Sequence, residues 1–140
     1  MAPLLTLLAT EELRAKFGDG VRVVPLEPNL DSRGSLVEFD FSSLPFRVRR
    51  AFAISDVPAG TTRGGHAHRE GEQMLACLTG CVAVELRRSG RSHVVELRPD
   101  GGGLHIRPGV WASQHYVEEG STLLVLASTA YDPAGYDTDA

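Results

Sequence analysis

Short segments in which apolar and polar residues alternate recur through most of the chain. They cover residues 21–26, 35–41, 47–54, 73–78, 81–87, 92–97, 103–107 and 122–128. The stretches between them are rich in Gly, Pro, Asp and Ser, which form tight turns. Many short strands with turn residues between them are typical of a β-sandwich or β-barrel. The pattern therefore predicts an all-β fold, in which residues 123–127, apolar on both faces, form a central strand.

One segment near the N-terminus has the pattern of a short helix instead. Thr10 is a suitable N-cap for a helix through residues 11–15, with Lys16 in the last turn and Gly18 as the stop. The apolar residues 1–9 that precede it lack a basic flank and are too few to span a membrane. We expect a soluble, cytoplasmic protein whose apolar N-terminal stretch serves as an exchanged or interfacial strand.

The size and charge of the chain restrict its organisation and its partners. With 140 residues and 42% hydrophobic content, it is long enough for one good core and short for two. We expect a single domain over residues 1–140, with an N-terminal extension at 1–20 and a loosely held C-terminal tail at 130–140. A net charge of −4 argues against general attraction to nucleic acid or membranes. Cys77 and Cys81 are too few for a disulfide scaffold and indicate reduced thiols.

The strongest candidate for chemistry is the stretch 60–73. His66 and His68 are two residues apart, so in an extended segment both imidazoles project from one face and can share a ligand, a metal or a proton. Arg63 lies three residues upstream, and Gln73 begins the next predicted strand. Glycines between these residues let the backbone approach a ligand closely.

Arginine dominates the cationic residues, since Lys16 is the only lysine among 14. Arg suits bidentate binding of phosphate, so a local anion site is compatible with the acidic total. Arg50 shares a strand face with Val48, Phe52 and Ile54. Two interpretations are open: an inward Arg that meets an anion, or an Arg near a strand end whose head reaches water or an internal carboxylate.

The spacing of Gly60, His66, His68, Gln73 and Gly80 resembles the first cupin motif, with Gln where metal-binding cupins usually carry Glu. The resemblance implies a cupin jelly roll. Residues 102–109 resemble the turn of the second motif. The third metal-binding His of that motif would fall near residues 112–113, which are Ala and Ser, so the ligand set falls short of a catalytic metal site.

Within the cupins, the chain resembles the nucleotide-sugar 3,4-ketoisomerases, which act on dTDP-linked 4-keto-6-deoxyglucose. The resemblance extends from about Asp31 to Tyr136. Its most specific part is the string at 63–68 combined with Trp111 and with Tyr131-Asp132. Further matching pieces are 31–34, 45–46 with Arg50, Gln73, 103–106 and 126–128.

This resemblance implies an isomerase that binds a dTDP-linked keto-deoxysugar, works without a metal or cofactor, and forms a homodimer. Moving a ketone from C4 to C3 requires removing the C3 proton and returning a proton at C4, for which a neutral imidazole is a suitable base. We predict that His66 and His68 are the acid/base pair, in an order that the sequence leaves open, with Arg63 stabilising the developing charge. The predicted substrate-binding residues are Arg33 and Arg50 at the diphosphate, with Gln73, His105, Trp111 and Tyr131 in the pocket.

Two departures from the family pattern keep other functions in view. The family commonly has an aromatic residue at position 53 and a His at 112, and both are Ala here. A non-catalytic cupin that binds a nucleotide sugar would fit the missing aromatic. A metal-dependent cupin such as a dioxygenase would need His115 or Glu72 to complete its ligands. We expect His93 and His115 to be ordinary surface or edge residues.

Overall fold

The computed structural model describes residues 4–138 and confirms the predicted all-β class. The first three residues of the predicted N-terminal extension and the last two of the predicted tail lie outside the described residues. One helix, α1, spans Leu4–Phe17. The strands are β1 Val21–Val24, β2 Asn29–Asp31, β3 Gly34–Leu36, β4 Arg50–Ile54, β5 Thr62–His68, β6 Gln73–Thr79, β7 Val82–Arg88, β8 Arg91–Leu97, β9 Gly103–Ile106, β10 Trp111–Tyr116, β11 Thr122–Ala127 and β12 Tyr136–Asp137.

The strands form two five-stranded antiparallel sheets and one separate hairpin. The first sheet has the order β1-β9-β6-β11-β4, and the second has the order β12-β5-β10-β7-β8. The apolar β11 lies between β6 and β4, in the sheet interior as predicted. Within residues 4–138, β2 and β3 pair only with each other. Two facing antiparallel sheets with crossing connections are the jelly-roll arrangement expected of a cupin.

The main core lies between the two sheets and follows from the alternation along each strand. Leu75 and Val125 point inward from the first sheet, and Val84, Leu86 and Tyr116 point inward from the second. Each of these side chains is at most 3% exposed. Because alternate residues face opposite sides of a strand, the inward positions also decide which side chains line any cavity between the sheets.

A second, smaller cluster covers the opposite face of the first sheet. Met74 and Leu126, which are paired across β6 and β11, pack there with Phe46. Phe39, Leu44 and Val48 from the segment before β4 are packed against them. The first sheet is therefore covered on both faces, and a polar residue on its outer face is not exposed to the space between the sheets.

The N-terminal helix is longer than predicted. It begins at Leu4, so Thr10 is an interior residue rather than the N-cap, and the predicted strand role of the apolar stretch is wrong for residues 4–9. Leu and Ala are strong helix formers, which accounts for the earlier start. Leu13 and Phe17 are buried in the main core. No helix among residues 4–138 has the length and apolar character needed to cross a membrane.

The end of α1 is held by cations from the β7–β8 hairpin. The Arg88 guanidinium donates to the carbonyl of Phe17, and Arg91 donates to the carbonyl of Ala15 at 3.0 Å. Lys16 in turn donates to the Ser92 carbonyl at 3.0 Å. The two arginine contacts satisfy carbonyls that have no partner at a helix C-terminus and place positive charge where the helix dipole favours it.

Two further expectations are corrected. The predicted strand at 35–41 is confined to Gly34–Leu36, and Phe41 begins a 3-10 turn in which Asp40 accepts from the Ser42 amide. β10 was not predicted, because its polar residues obscure the alternation. The tail, expected to be loosely held, includes β12, which pairs with the end of β5.

The two cysteines are free and buried, as predicted. Burial raises the pKa of the Cys77 thiol to about 11. It also raises the pKa of Cys81. A thiol with a raised pKa carries little of the reactive thiolate, so the pair contributes packing rather than chemistry.

The buried hydroxyl of Ser121 gives a test of how the turns are fixed. It accepts from the Cys81 amide at 3.0 Å and donates to the Glu118 carbonyl at 2.8 Å. Ser121→Ala leaves that amide buried without a partner and should lower the free energy of unfolding by about 1–3 kcal/mol. The exposed Ser92→Ala is the control in chemical denaturation, and equal midpoints for the two variants would contradict this role.

Candidate active site

A cavity of about 390 Å³ opens between the two sheets. Its floor is apolar and is made by Phe52, Ile54, Leu75 and Val125. Its polar lining comes from both sheets and consists of Arg50, Arg63, His66, Gln73, Gln114, Tyr131 and Tyr136. Among the residues that the structure describes, this lining contains two guanidinium groups and no carboxylate. An apolar cavity with a few convergent polar groups is the usual form of a small-molecule site.

The two predicted histidines lie next to each other where this cavity meets an adjoining one. Their ring centroids are 5.4 Å apart and the rings are nearly perpendicular, at 86°. His66 lines the main cavity, whereas His68 lines an adjoining cavity of about 280 Å³. Among the described residues, His66 Nδ1 and His68 Nε2 have no hydrogen-bond partner although both atoms are buried. Buried polar atoms are normally paired, so these two nitrogens are free to meet a ligand.

A β-bulge sets the relation between His66 and Arg63. Residues three apart in a regular strand point to opposite faces. Along β10, however, Gln114 pairs with Arg63 and Ala112 pairs with His66, so β5 has one extra residue between them. Gly64 and Gly65 supply it with positive φ angles of 79° and 83°. The bulge therefore brings the guanidinium and the imidazole into one cavity.

Both imidazoles are held in the neutral form. Burial lowers the pKa of His66. Burial also lowers the pKa of His68, the neighbouring His66 and Arg50 lower it further, and the Gln73 carboxamide opposes the shift. A charged imidazole is disfavoured where water is excluded and other cations are near. Near pH 7 each ring can therefore accept a proton.

Arg50 stands where the two cavities meet and is half-buried, which confirms that it points inward with Phe52. Its guanidinium carbon lies 4.9 Å from the centre of the Phe52 ring and 5.5 Å from that of Tyr131. Arg50 Nε is buried with no hydrogen-bond partner among residues 4–138. A half-buried cation that packs against aromatic faces and forms no ion pair within residues 4–138 is suited to bind an anion.

The C-terminal tail adds a residue that sequence reasoning missed. Tyr136 pairs with His68 at the edge of β5. Its ring centroid lies 4.5 Å from that of His66 and 4.8 Å from that of His68. Tyr136 thus forms the wall between the two cavities. No local pattern in the tail indicates this position, because only the return of the chain to β5 creates it.

Gln114 was also missed. β10 is regular against β7, so Ala112, Gln114 and Tyr116 all point inward. Gln114 then lines the cavity beside Arg63. The apolar residues Ala112 and Tyr116, two positions to either side of Gln114, were the available signal. The polar residues between them concealed the strand.

Three predicted site residues lie elsewhere. Trp111 points outward from β10, where the Arg87 guanidinium carbon lies 4.8 Å from the centre of its ring. His105 is buried on the outer face of the first sheet, under Phe46 and 2.9 Å from a Glu72 oxygen. Arg33 is on the β2–β3 hairpin, where its exposed side chain binds Asp31. None of these three residues lines either cavity. For Trp111 and His105 the reason is the alternation along a strand. It assigns each side chain to one of two faces but does not show which face encloses the cavity.

The geometry also bears on the two other functions. His115 points away from the cavity and lies 2.9 Å from the Thr62 hydroxyl, and Glu72 is turned toward His105, so neither joins the histidine pair. Within the described part of the chain, no three His, Cys, Asp or Glu side chains form a group that would hold a metal. Ala53 is exposed and outside the cavity lining, so the absence of an aromatic there removes no wall.

Comparison with known proteins gives a consistent family assignment. Residues 19–140 match the family described as FdtA, WxcM-like, C-terminal. TDP-4-oxo-6-deoxy-alpha-D-glucose-3,4-oxoisomerase from Aneurinibacillus thermoaerophilus is 34% identical over 116 residues, which cover 82% of this chain and 84% of that protein.

Two solved structures share the fold and a similar level of identity. The first is a His-to-Asn variant of the 3,4-ketoisomerase QdtA from Thermoanaerobacterium thermosaccharolyticum, in complex with TDP-4-keto-6-deoxyglucose. It has a TM-score of 0.81 at 32% identity and covers 86% of this chain and 88% of that one. The TDP-quinovose 3,4-ketoisomerase WlaRB from Campylobacter jejuni has a TM-score of 0.78 at 31% identity, with 85% and 92% covered.

The electrostatics of the cavity can be tested by titrating the imidazoles. In NMR titrations, His66 and His68 should both show midpoints below the ordinary value of about 6.5. Arg50→Gln removes a cation that disfavours protonated His68, so the His68 midpoint should rise. The pKa of His66 is lowered mainly by burial, which makes its midpoint the internal control. An unchanged His68 midpoint in this variant would show that Arg50 does not act on the ring.

Proposed function

Because the chain belongs to the FdtA family of WxcM-like proteins, we propose that it is a nucleotide-sugar 3,4-ketoisomerase. It converts a dTDP-linked 4-keto-6-deoxyhexose to the 3-keto isomer. The observation that carries this proposal is the pair of adjacent imidazoles, whose pKa values burial lowers, beside a cavity whose described lining has two guanidinium groups and no carboxylate. Such a site can remove a proton and then stabilise the anion that remains.

The reaction is an isomerisation in which no atom is gained or lost overall. An imidazole of the His66–His68 pair removes the hydrogen on C3 as a proton, and the electrons of that bond form the enediolate with its charge on the C4 oxygen. The C3 hydroxyl then loses its proton, C4 and its oxygen are protonated, and the ketone stands at C3. Arg63, in the same cavity as His66, stabilises the negative charge in the intermediate.

The position of Arg50 supports a division of the substrate between the two cavities. The keto-sugar occupies the apolar main cavity beside His66. Gln73 also lines this cavity, is hydrogen-bonded to His68, and contacts the sugar there. Arg50, at the junction, forms no ion pair with the described residues, although Glu70 and Asp132 also line the adjoining cavity, and its guanidinium binds the diphosphate. Tyr131, 65% exposed, forms the outer wall of the main cavity. Both sheets contribute residues to the main cavity, which supports a single cupin domain in each chain.

The β2–β3 hairpin supports a homodimer. An isolated two-stranded hairpin is at best marginally stable in water. This hairpin nevertheless exposes Leu30 at 76% and Leu36 at 58%. Packing against a second copy would cover these residues, and it would be the means by which Arg33 reaches a substrate diphosphate. The buried free thiols support a reducing compartment, and we place the protein in the cytoplasm.

Hydrogen exchange at the sugar tests the proposed reaction directly. In deuterated water with dTDP-4-keto-6-deoxyglucose, the protein should replace the C3 hydrogen by deuterium as the isomer forms, which NMR detects. His66→Asn or His68→Asn should slow this exchange about 10²–10⁴-fold, because each removes a general acid or base. His115→Asn, on the outer face, is the matched control. Full exchange in both cavity variants would remove the pair from the mechanism.

The proposed dimer can be tested by mixing two impaired variants. Arg33→Ala should weaken substrate binding about tenfold or more, as expected for loss of a charge-assisted hydrogen bond. If Arg33 acts in the partner's cavity, hybrids of Arg33→Ala and His66→Asn subunits contain one intact site. Activity should then exceed that of either variant alone. Hybrids verified by mass spectrometry that show no such recovery would indicate that Arg33 does not act across the interface.

A further inference from the structure

Gln114 combines an inward position with an unused hydrogen-bonding group. It is half-buried, lines the main cavity and lies at the same end as Arg63, its partner across β5 and β10. Its carboxamide makes no hydrogen bond to any residue within 4–138. A carboxamide has two donors on nitrogen and an acceptor on oxygen. The group is therefore available to a ligand in the cavity.

The Gln114 carboxamide lies against the backbone of Gly64. A Cβ atom on Gly64 would lie 2.5 Å from Gln114 Oε1, closer than real atoms approach. Gly64 also has a positive φ of 79°, which favours glycine. The bulge that turns Arg63 inward thus also provides the space in which the Gln114 carboxamide lies against the strand.

Arg63 determines what the neighbouring carboxamide would contact. The Arg63 guanidinium forms no ion pair or hydrogen bond with the described residues, and it carries only donors. It therefore suits an oxygen that accepts, such as the C4 ketone or the enediolate. Arg63 and Gln114 are direct cross-strand neighbours on one cavity wall, so on a single sugar the two side chains would meet groups on neighbouring atoms. The one hydroxyl vicinal to C4 in a 4-keto-6-deoxyhexose is on C3, because C5 carries the ring oxygen and the methyl group.

We propose that Gln114 is a specificity-determining residue that recognises the C3 hydroxyl of the sugar while Arg63 holds the oxygen on C4. This inference rests on the proposed function and adds to it one specific contact between the protein and its substrate. A carboxamide is suited to this position throughout the reaction. Its oxygen can accept from the C3 hydroxyl of the substrate, and its nitrogen can donate to the C3 ketone of the product.

The test compares two inert ligands. dTDP-6-deoxyglucose and its 3-deoxy analogue have no ketone, so neither can be isomerised, and their affinities are measured by calorimetry. The unsubstituted protein should bind the 3-hydroxy ligand about three- to tenfold more tightly, which is the usual net effect of one neutral hydrogen bond. Gln114→Met, of similar length but without strong hydrogen-bonding groups, should bind the two ligands equally.

Control variants separate recognition from a general change in the cavity. His115→Met, on the outer face of the same strand, should keep the original preference for the 3-hydroxy ligand. Gln114→Leu should repeat the result of Gln114→Met, and thermal unfolding shows whether each variant is folded. A folded Gln114→Met protein that retains the full preference would overturn the proposal and leave the proposed function intact. Failure of the unsubstituted protein to bind either ligand would overturn both.

Discussion

The pairing of β5 with β10, and the one extra residue within it, is the constraint on which the site depends. A regular β5 would place Arg63 and His66 on opposite faces, and only one of them could then reach the space between the sheets. The bulge at Gly64–Gly65 restores both to the same side. Glycine suits it because both residues have positive φ and because Gln114 lies where a Gly64 side chain would be. The placement of a cation beside a base thus results from one local irregularity in a regular sheet.

The character of the cavity follows from what surrounds the imidazoles. An apolar floor excludes water, and the charged groups of the main cavity are all cations. Both factors disfavour a protonated ring, which is why the pKa values of His66 and His68 are lowered. The same surroundings favour an anion once one forms, since fixed guanidinium groups face it in a low-dielectric space. A base that is neutral before the reaction and an environment that stabilises negative charge afterwards therefore have a common physical origin.

Long-range contacts complete the site from segments that are distant in sequence. Tyr136, near the end of the chain, packs against both histidines because β12 pairs with β5. Arg50 comes from the edge strand of the other sheet and joins the two cavities. On the outer face of the first sheet, His105 and Glu72 form a pair that is separated from the cavity by the sheet itself. A polar pair can thus lie close to the site in sequence and have no access to it.

The sequence by itself determined the fold class, the positions of most strands, the shared face of His66 and His68 and the inward direction of Arg50. All of these depend on the two-residue period of a strand and on local turn chemistry, which a single sequence displays. The tertiary structure decided which of the two strand faces encloses the cavity, and so placed His105 and Trp111 outside it and Gln114 inside. It also decided the length of α1 and the return of Tyr136 to the histidines. Packing and strand pairing between distant segments control these features, because alternation specifies that two faces differ but not what each face meets.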